Sequence, residues 1–148
     1  MFRRSLIRTV RFSATHHYRV RGWDAERNRE TFGAQAEPHG HEYVVEVAVA
    51  GPPDPETGFV TDLGHLDTVL HHEVVEPLDG HDLNRVIPEV AEGAMQPSTE
   101  ALAEWVYRRV APRIGDPARV IRVRVWESDE LAGQIEVLSG PDSAGGRS

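Results

Sequence analysis

Hydrophobic and polar positions alternate over residues 6–18, where Val10, Phe12, Ala14 and His16 share one side and Arg11, Ser13, Thr15 and His17 the other. That two-residue period predicts a half-buried strand. A second alternation sets His41, Tyr43, Val45, Val47 and Val49 against Glu42, Val44, Glu46, Ala48 and Ala50, and Gly51-Pro52-Pro53 ends it. The intervening residues 19–38 are charged and keep no period, which predicts a long loop with room for one helical turn over 24–31. Further on, the spacing becomes helical. Asp62 is placed to cap a helix with Leu63, Leu66, Leu70 and Val74 as its apolar stripe and Pro77 as its stop. Pro97-Ser98-Thr99-Glu100 starts a second helix, with Leu102, Trp105, Val106, Arg109 and Val110 at helical spacing and Pro112 and Gly115 at its end. Over 120–127, Ile121, Val123 and Val125 alternate with Arg122 and Arg124, and residues 131–138 can fold back on them through Ser128-Asp129-Glu130.

The resulting order, ββααββ, predicts an α+β domain: a four-stranded antiparallel sheet with two helices on one face. One domain over 1–138 accounts for every patterned segment, and the polar, glycine-rich residues 139–148 are expected to be a disordered tail. Strands this long leave sheet edges to be covered, so association with further copies is expected. With 148 residues, 39% hydrophobic and 27% charged, the chain can bury one ordinary core. Its net charge of −8 argues against a nucleic-acid partner, which needs a positive surface. The apolar run after Met1-Phe2-Arg3-Arg4 is broken by Arg8 and Arg11, and no stretch approaches a membrane span, so no membrane association and a cytoplasmic location are expected. The absence of cysteine removes thiolate ligands and any cysteine nucleophile.

Chemistry is concentrated in the histidines. His39 and His41, two apart on a strand, present both imidazoles to one side, and pairing of the first two strands as a hairpin brings His16 beside them. Three imidazoles suit Zn2+, with a fourth position left open as in catalytic sites. Glu127 ends the apolar series Ile121, Val123, Val125, where a carboxylate is out of place unless it meets donors.

Several pieces, in order, are similar to the pyruvoyl- and carboxy-tetrahydropterin synthases: Phe12-Ser13-Ala14-Thr15-His16, Phe32-Gly33-Ala34-Gln35 and His39-Gly40-His41-Glu42-Tyr43. Gly58-Phe59-Val60-Thr61-Asp62-Leu63, Pro77-Leu78-Asp79 with Leu83-Asn84, Pro97-Ser98-Thr99-Glu100 and Val125-Trp126-Glu127-Ser128 continue the match. The resemblance implies the tunnelling fold, in which three subunits close a barrel and two trimers stack, so a homo-oligomer, trimer or hexamer, is expected. It further implies a pterin substrate, Zn2+ on His16, His39 and His41, the pterin ring anchored on Glu127, and further pterin contacts from Ser98, Thr99 and Glu100. Ser98 and Thr99 are equally suited to capping the helix that they open.

Two positions depart from the family pattern. Gln35 occupies the place of a proton-transferring cysteine, and it cannot ionise. The family's aspartate–histidine couple reads Asp79-Gly80-His81 here, with the histidine one residue late. Asp79, His81 and Glu37 are therefore the candidate proton-transfer groups, and Gln35 a candidate substrate contact. The resemblance thus supports a zinc-dependent enzyme acting on 7,8-dihydroneopterin triphosphate or a related pterin; the alternative is a non-catalytic protein that binds metal and pterin.

Overall fold

A computed structural model describes residues 1–138; the expected tail at 139–148 lies outside the described residues. Strand β1 (Ser5–His16) and strand β2 (His39–Ala50) form an antiparallel hairpin in continuous register from Ser5↔Ala50 to His16↔His39. Strand β4 (Arg119–Ser128) pairs with β2 on its other side, and β5 (Leu131–Glu136) closes the row. The sheet is not the expected four-stranded antiparallel one. A two-residue strand, β3 (His81–Asp82), runs parallel to β1 at Ala14 and Thr15, giving five strands in the order β3-β1-β2-β4-β5. Two residues are too few to show a period, which is why β3 is invisible in the pattern.

Residues 19–38 are also more regular than a loop. Helix α1 (Ala25–Phe32) is capped by Asp24, whose carboxylate accepts from Arg27 N at 2.8 Å, and a 3-10 turn (Gly33–Ala36) follows. Of its residues only Asn28 is buried, so α1 carries no apolar stripe to announce it. Helix order thus departs from a plain ββααββ.

Asp62 caps α2 (Leu63–Leu70) by accepting from His65 N at 3.0 Å. Pro77 does not stop this helix. A π turn (His71–Val75) carries the chain into α3 (Glu76–Leu78), and Pro77 sits in the first turn of α3. The Glu73 carbonyl, which an N–H at position 77 would have met, accepts instead from Arg109 Nε at 2.8 Å. Short helices α4 (Leu83–Val86) and α5 (Pro88–Ala91) lead to α6 (Thr99–Val110). Leu66, Leu70, Val74 and Leu78 from the first helical stretch and Leu102, Val106 and Val110 from α6 share one core with Val45, Val47, Val123 and Val125. Full burial of each large aliphatic side chain stabilises by about 1.5–3 kcal/mol. The opposite face of the sheet carries a polar row: Trp126 donates to Glu46, and Arg124 Nε donates to Gln134 at 2.8 Å. No helix among the described residues is long and apolar enough to cross a membrane.

Candidate metal centre

Hairpin register sets His16 across from His39 and Ala14 across from His41, so the three imidazoles project from one face at one end of the sheet. One ligating nitrogen from each lies within 4.8 Å of the others. Two of the rings are oriented from behind. His16 Nδ1 donates to the Pro97 carbonyl at 2.9 Å and His39 Nδ1 to the Glu37 carbonyl at 2.8 Å, which leaves Nε2 of each with its lone pair. Nε2 of His16 and of His41 is buried without a hydrogen-bond partner. An unpaired buried imidazole nitrogen is costly, and two facing one point fit a divalent metal with a preference for imidazole. Burial pushes His16 down to about 4, against the opposing pull of its bond to Pro97 and helped by the neighbouring His39 and His41. The ring is therefore neutral near pH 7, the form that ligates a metal.

Aromatic rings wall the centre. Tyr43 stacks on Phe12 with centroids 4.8 Å apart and meets His16 and His41 edge-on. Its hydroxyl is buried and unpartnered, and burial raises its pKa further than the nearby Glu127 does. Tyr18 lies 5.1 Å from His16 and 5.7 Å from Phe32, centroid to centroid. Burial and then the carboxylates of Glu127 and Glu100 push its hydroxyl up to about 12, so it remains a phenol. Glu127 is 9% exposed, and its Oε2 lies 3.8 Å from His41 Nε2. A nearly buried carboxylate thus sits beside His41, one of the three imidazoles.

At the start of α6, Ser98 caps the helix by accepting from Ala101 N at 3.3 Å. Thr99 Oγ1 donates to Glu100 Oε1 at 3.1 Å. The backbone N–H of Glu100, with the Thr99 and Ser98 hydroxyls, holds its carboxyl below the usual range. This turn presses onto β5 at Gly133, where a Cβ would lie 2.4 Å from Glu100 N and 2.6 Å from Thr99 Oγ1.

The side chains of Gln35 and Glu37 are exposed. Their backbones contribute: the Gln35 carbonyl accepts from Tyr18 N at 2.9 Å, and that of Glu37 holds His39. Asp79 Oδ1 accepts from Ser13 N at 2.9 Å, and Gly80 N donates to the Ser13 carbonyl at 2.7 Å, so both fasten the loop to the β1 edge. Gly80 has φ +78°, the left-handed region that glycine reaches without strain. The turn it makes delivers the late histidine onto β1, where His81 pairs with Ala14. His81 and His41 line one open cavity of about 560 Å³.

Tyr18, Tyr43 and the Pro97 carbonyl were not among the expected site groups. Both tyrosines continue the even and odd series of His16 and His41, so strand alternation contained the signal. Pro97 leaves no such trace, since any residue offers a carbonyl. His65 and the exposed His71 and His72 find partners elsewhere, in the Arg113 carbonyl and Glu76.

The sequence profile of the 6-pyruvoyl tetrahydropterin synthase family matches residues 5–136. The 6-pyruvoyl tetrahydrobiopterin synthase of Poecilia reticulata is 33% identical over 128 residues, 84% of each chain. Dihydroneopterin monophosphate aldolase of Pyrococcus furiosus is 27% identical over 131 residues, 88% of this chain and 96% of that one. The solved 6-pyruvoyl tetrahydropterin synthase of Caenorhabditis elegans superposes with a TM-score of 0.82 at 24% identity, over 93% of this chain and all of that one, which shows a common fold.

Proposed function

Because the chain belongs to the 6-pyruvoyl tetrahydropterin synthase family, we propose that it is a zinc-dependent enzyme acting on 7,8-dihydroneopterin triphosphate or a closely related pterin, with altered proton-transfer residues. The observation that carries this reading is the convergence of His16, His39 and His41, two of them with orphaned Nε2 atoms, beside the buried Glu127. When bound, zinc would polarise the oxygen on the pterin side chain and lower the barrier to proton loss from the adjacent carbon. The remaining tasks fall to the chain's own groups.

Glu127 accepts from the ring N–H and amino group of the pterin, a two-donor edge that a carboxylate can meet bidentately. Ser98, Thr99 and Glu100 contact the same heterocycle from the first turn of α6, while Ser98 keeps its capping bond. Gln35, replacing a thiol, hydrogen-bonds substrate without exchanging a proton. Of the candidate proton carriers, His81 is favoured because it shares a cavity with His41; Asp79 fastens the loop that carries it, and Glu37 is the reserve. Assembly into a tunnelling-fold trimer or hexamer belongs to the same reading: β3 covers β1 only at Ala14 and Thr15, and β5 ends the sheet. So does a cytoplasmic site of action.

The test is to load the protein with zinc, add 7,8-dihydroneopterin triphosphate, and follow release of the phosphate chain and the change in the pterin. Turnover is expected, abolished by chelation and restored by zinc. A second reading, a metal- and pterin-binding protein without turnover, rests on the loss of an ionisable group at the exposed Gln35. Tight pterin binding with no product over prolonged incubation would establish it instead.

A further inference from the structure

On leaving β1, the chain carries a second built feature, apart from the histidine centre. Asn84 pins residue 17 by accepting from His17 N at 2.9 Å and donating to the His17 carbonyl at 3.0 Å. Gln96 does the same for residue 19, accepting from Arg19 N and donating to its carbonyl. Two side-chain amides thus stand in for a neighbouring strand and hold 17–19 extended. His17, Arg19 and Arg21 line a cavity of about 400 Å³ with Arg85. Three arginines thus line one cavity in a chain of net charge −8. The one carboxylate in the lining, Asp82, is occupied in capping α4, accepting from Asn84 N at 3.0 Å. Among the described residues the arginine ion pairs fall elsewhere, on Arg8, Arg108, Arg109, Arg113 and Arg124. Arg21 spends one nitrogen on the Glu92 carbonyl at 2.6 Å, which fixes its guanidinium in place. His17 Nδ1 is buried and has no hydrogen-bond partner.

We infer that this cavity binds an oligophosphate. Guanidiniums match phosphate oxygens in forked pairs, and grouping three of them unpaired raises the local anion concentration. The anion has two sources: the phosphate tail of a phosphorylated substrate, which rests on the proposed function, or a free oligophosphate acting independently of it.

The probe is sodium tripolyphosphate, titrated calorimetrically at fixed ionic strength into the full-length, metal-stripped protein, so that chelation by a bound metal cannot contribute and no turnover is needed. Saturable binding is expected. Arg19→Gln combined with Arg85→Gln should weaken it at least about tenfold, the scale of losing charge-assisted hydrogen bonds. Arg3→Gln combined with Arg4→Gln, the same change of charge outside the cavity, should leave it intact. Both Arg19 and Arg85 are exposed, so an unchanged melting temperature is expected in the first variant. Absence of saturable binding in the parent protein, or equal weakening in the two double variants, overturns the inference, because the attraction would then be absent or diffuse. With zinc restored, a KM for 7,8-dihydroneopterin triphosphate that rises in the cavity variant, with tripolyphosphate competing, identifies the substrate tail. An unchanged KM alongside the weakened tripolyphosphate binding identifies a free anion.

Discussion

The histidine centre and the loop that follows the first helical stretch differ in how they hold their functional groups. His16, His39 and His41 stand on two strands in unbroken register, with two of the rings braced by backbone carbonyls. His81 stands on a two-residue strand at the sheet edge, delivered by a glycine turn and exposed to solvent. The first arrangement is rigid because every residue is fixed by its neighbours across the sheet. The second depends on a few local bonds, those of Asp79 and Gly80 to Ser13. Under the proposed function a metal centre needs fixed distances and a proton carrier needs reach, and the two regions suit those tasks respectively.

The largest expected effect lies in the rigid region. His16→Ala removes a proposed ligand held at full burial, and metal content after dialysis should fall to near zero, with affinity down about a thousandfold or more. Metal retained in stoichiometric amount would break the comparison at its stronger side. His81→Ala should lower kcat about a hundredfold, the lower range for a lost proton carrier, with metal content and melting temperature unchanged. An undiminished kcat would pass that role to Glu37, and Glu37→Gln then becomes the informative variant.

Glu127→Gln should weaken pterin binding by about ten- to a hundredfold, from the loss of a charge-assisted bidentate contact worth about 1.5–3 kcal/mol. Measured by fluorescence titration with zinc content held constant, an unaltered affinity would remove the carboxylate from the pocket. Gly133→Ala forces a methyl against the backbone of α6, and about 1–3 kcal/mol of stability should be lost, visible as a lowered melting temperature together with weaker pterin binding. The smallest change is expected from Gly80→Ala. Left-handed backbone at a residue with a Cβ costs about 1 kcal/mol, and nothing within 4 Å obstructs the methyl itself. A modest fall in kcat, smaller than that of His81→Ala, would show that the turn serves to place the imidazole.

Period alone made most of the framework legible. The alternations through Phe12 to His16 and His41 to Val49 anticipated β1 and β2 and, from chain direction, the meeting of the three histidines. Asp62 and Ser98 announced their helices by capping chemistry. Pro77 misled, because its cost to a helix depends on whether another donor takes the orphaned carbonyl, and Arg109 comes from a distant helix to do so. Where α1 forms, only room for a helical turn over 24–31 was legible, because a surface helix that buries little has no stripe to display.

What the amino-acid order determined by itself was therefore four of the five strands and the main helices, the side each residue faces, and the meeting of the three histidines, since all of these follow from local geometry repeating along the chain. Tertiary structure alone decided the fifth strand, the carbonyl of Pro97 behind His16, the tight seat of Gly133 beneath Glu100, and the gathering of Arg19, Arg21 and Arg85 around one cavity. Each of those joins residues far apart in the chain, or uses backbone atoms that every residue possesses, so no pattern of side chains could have carried it.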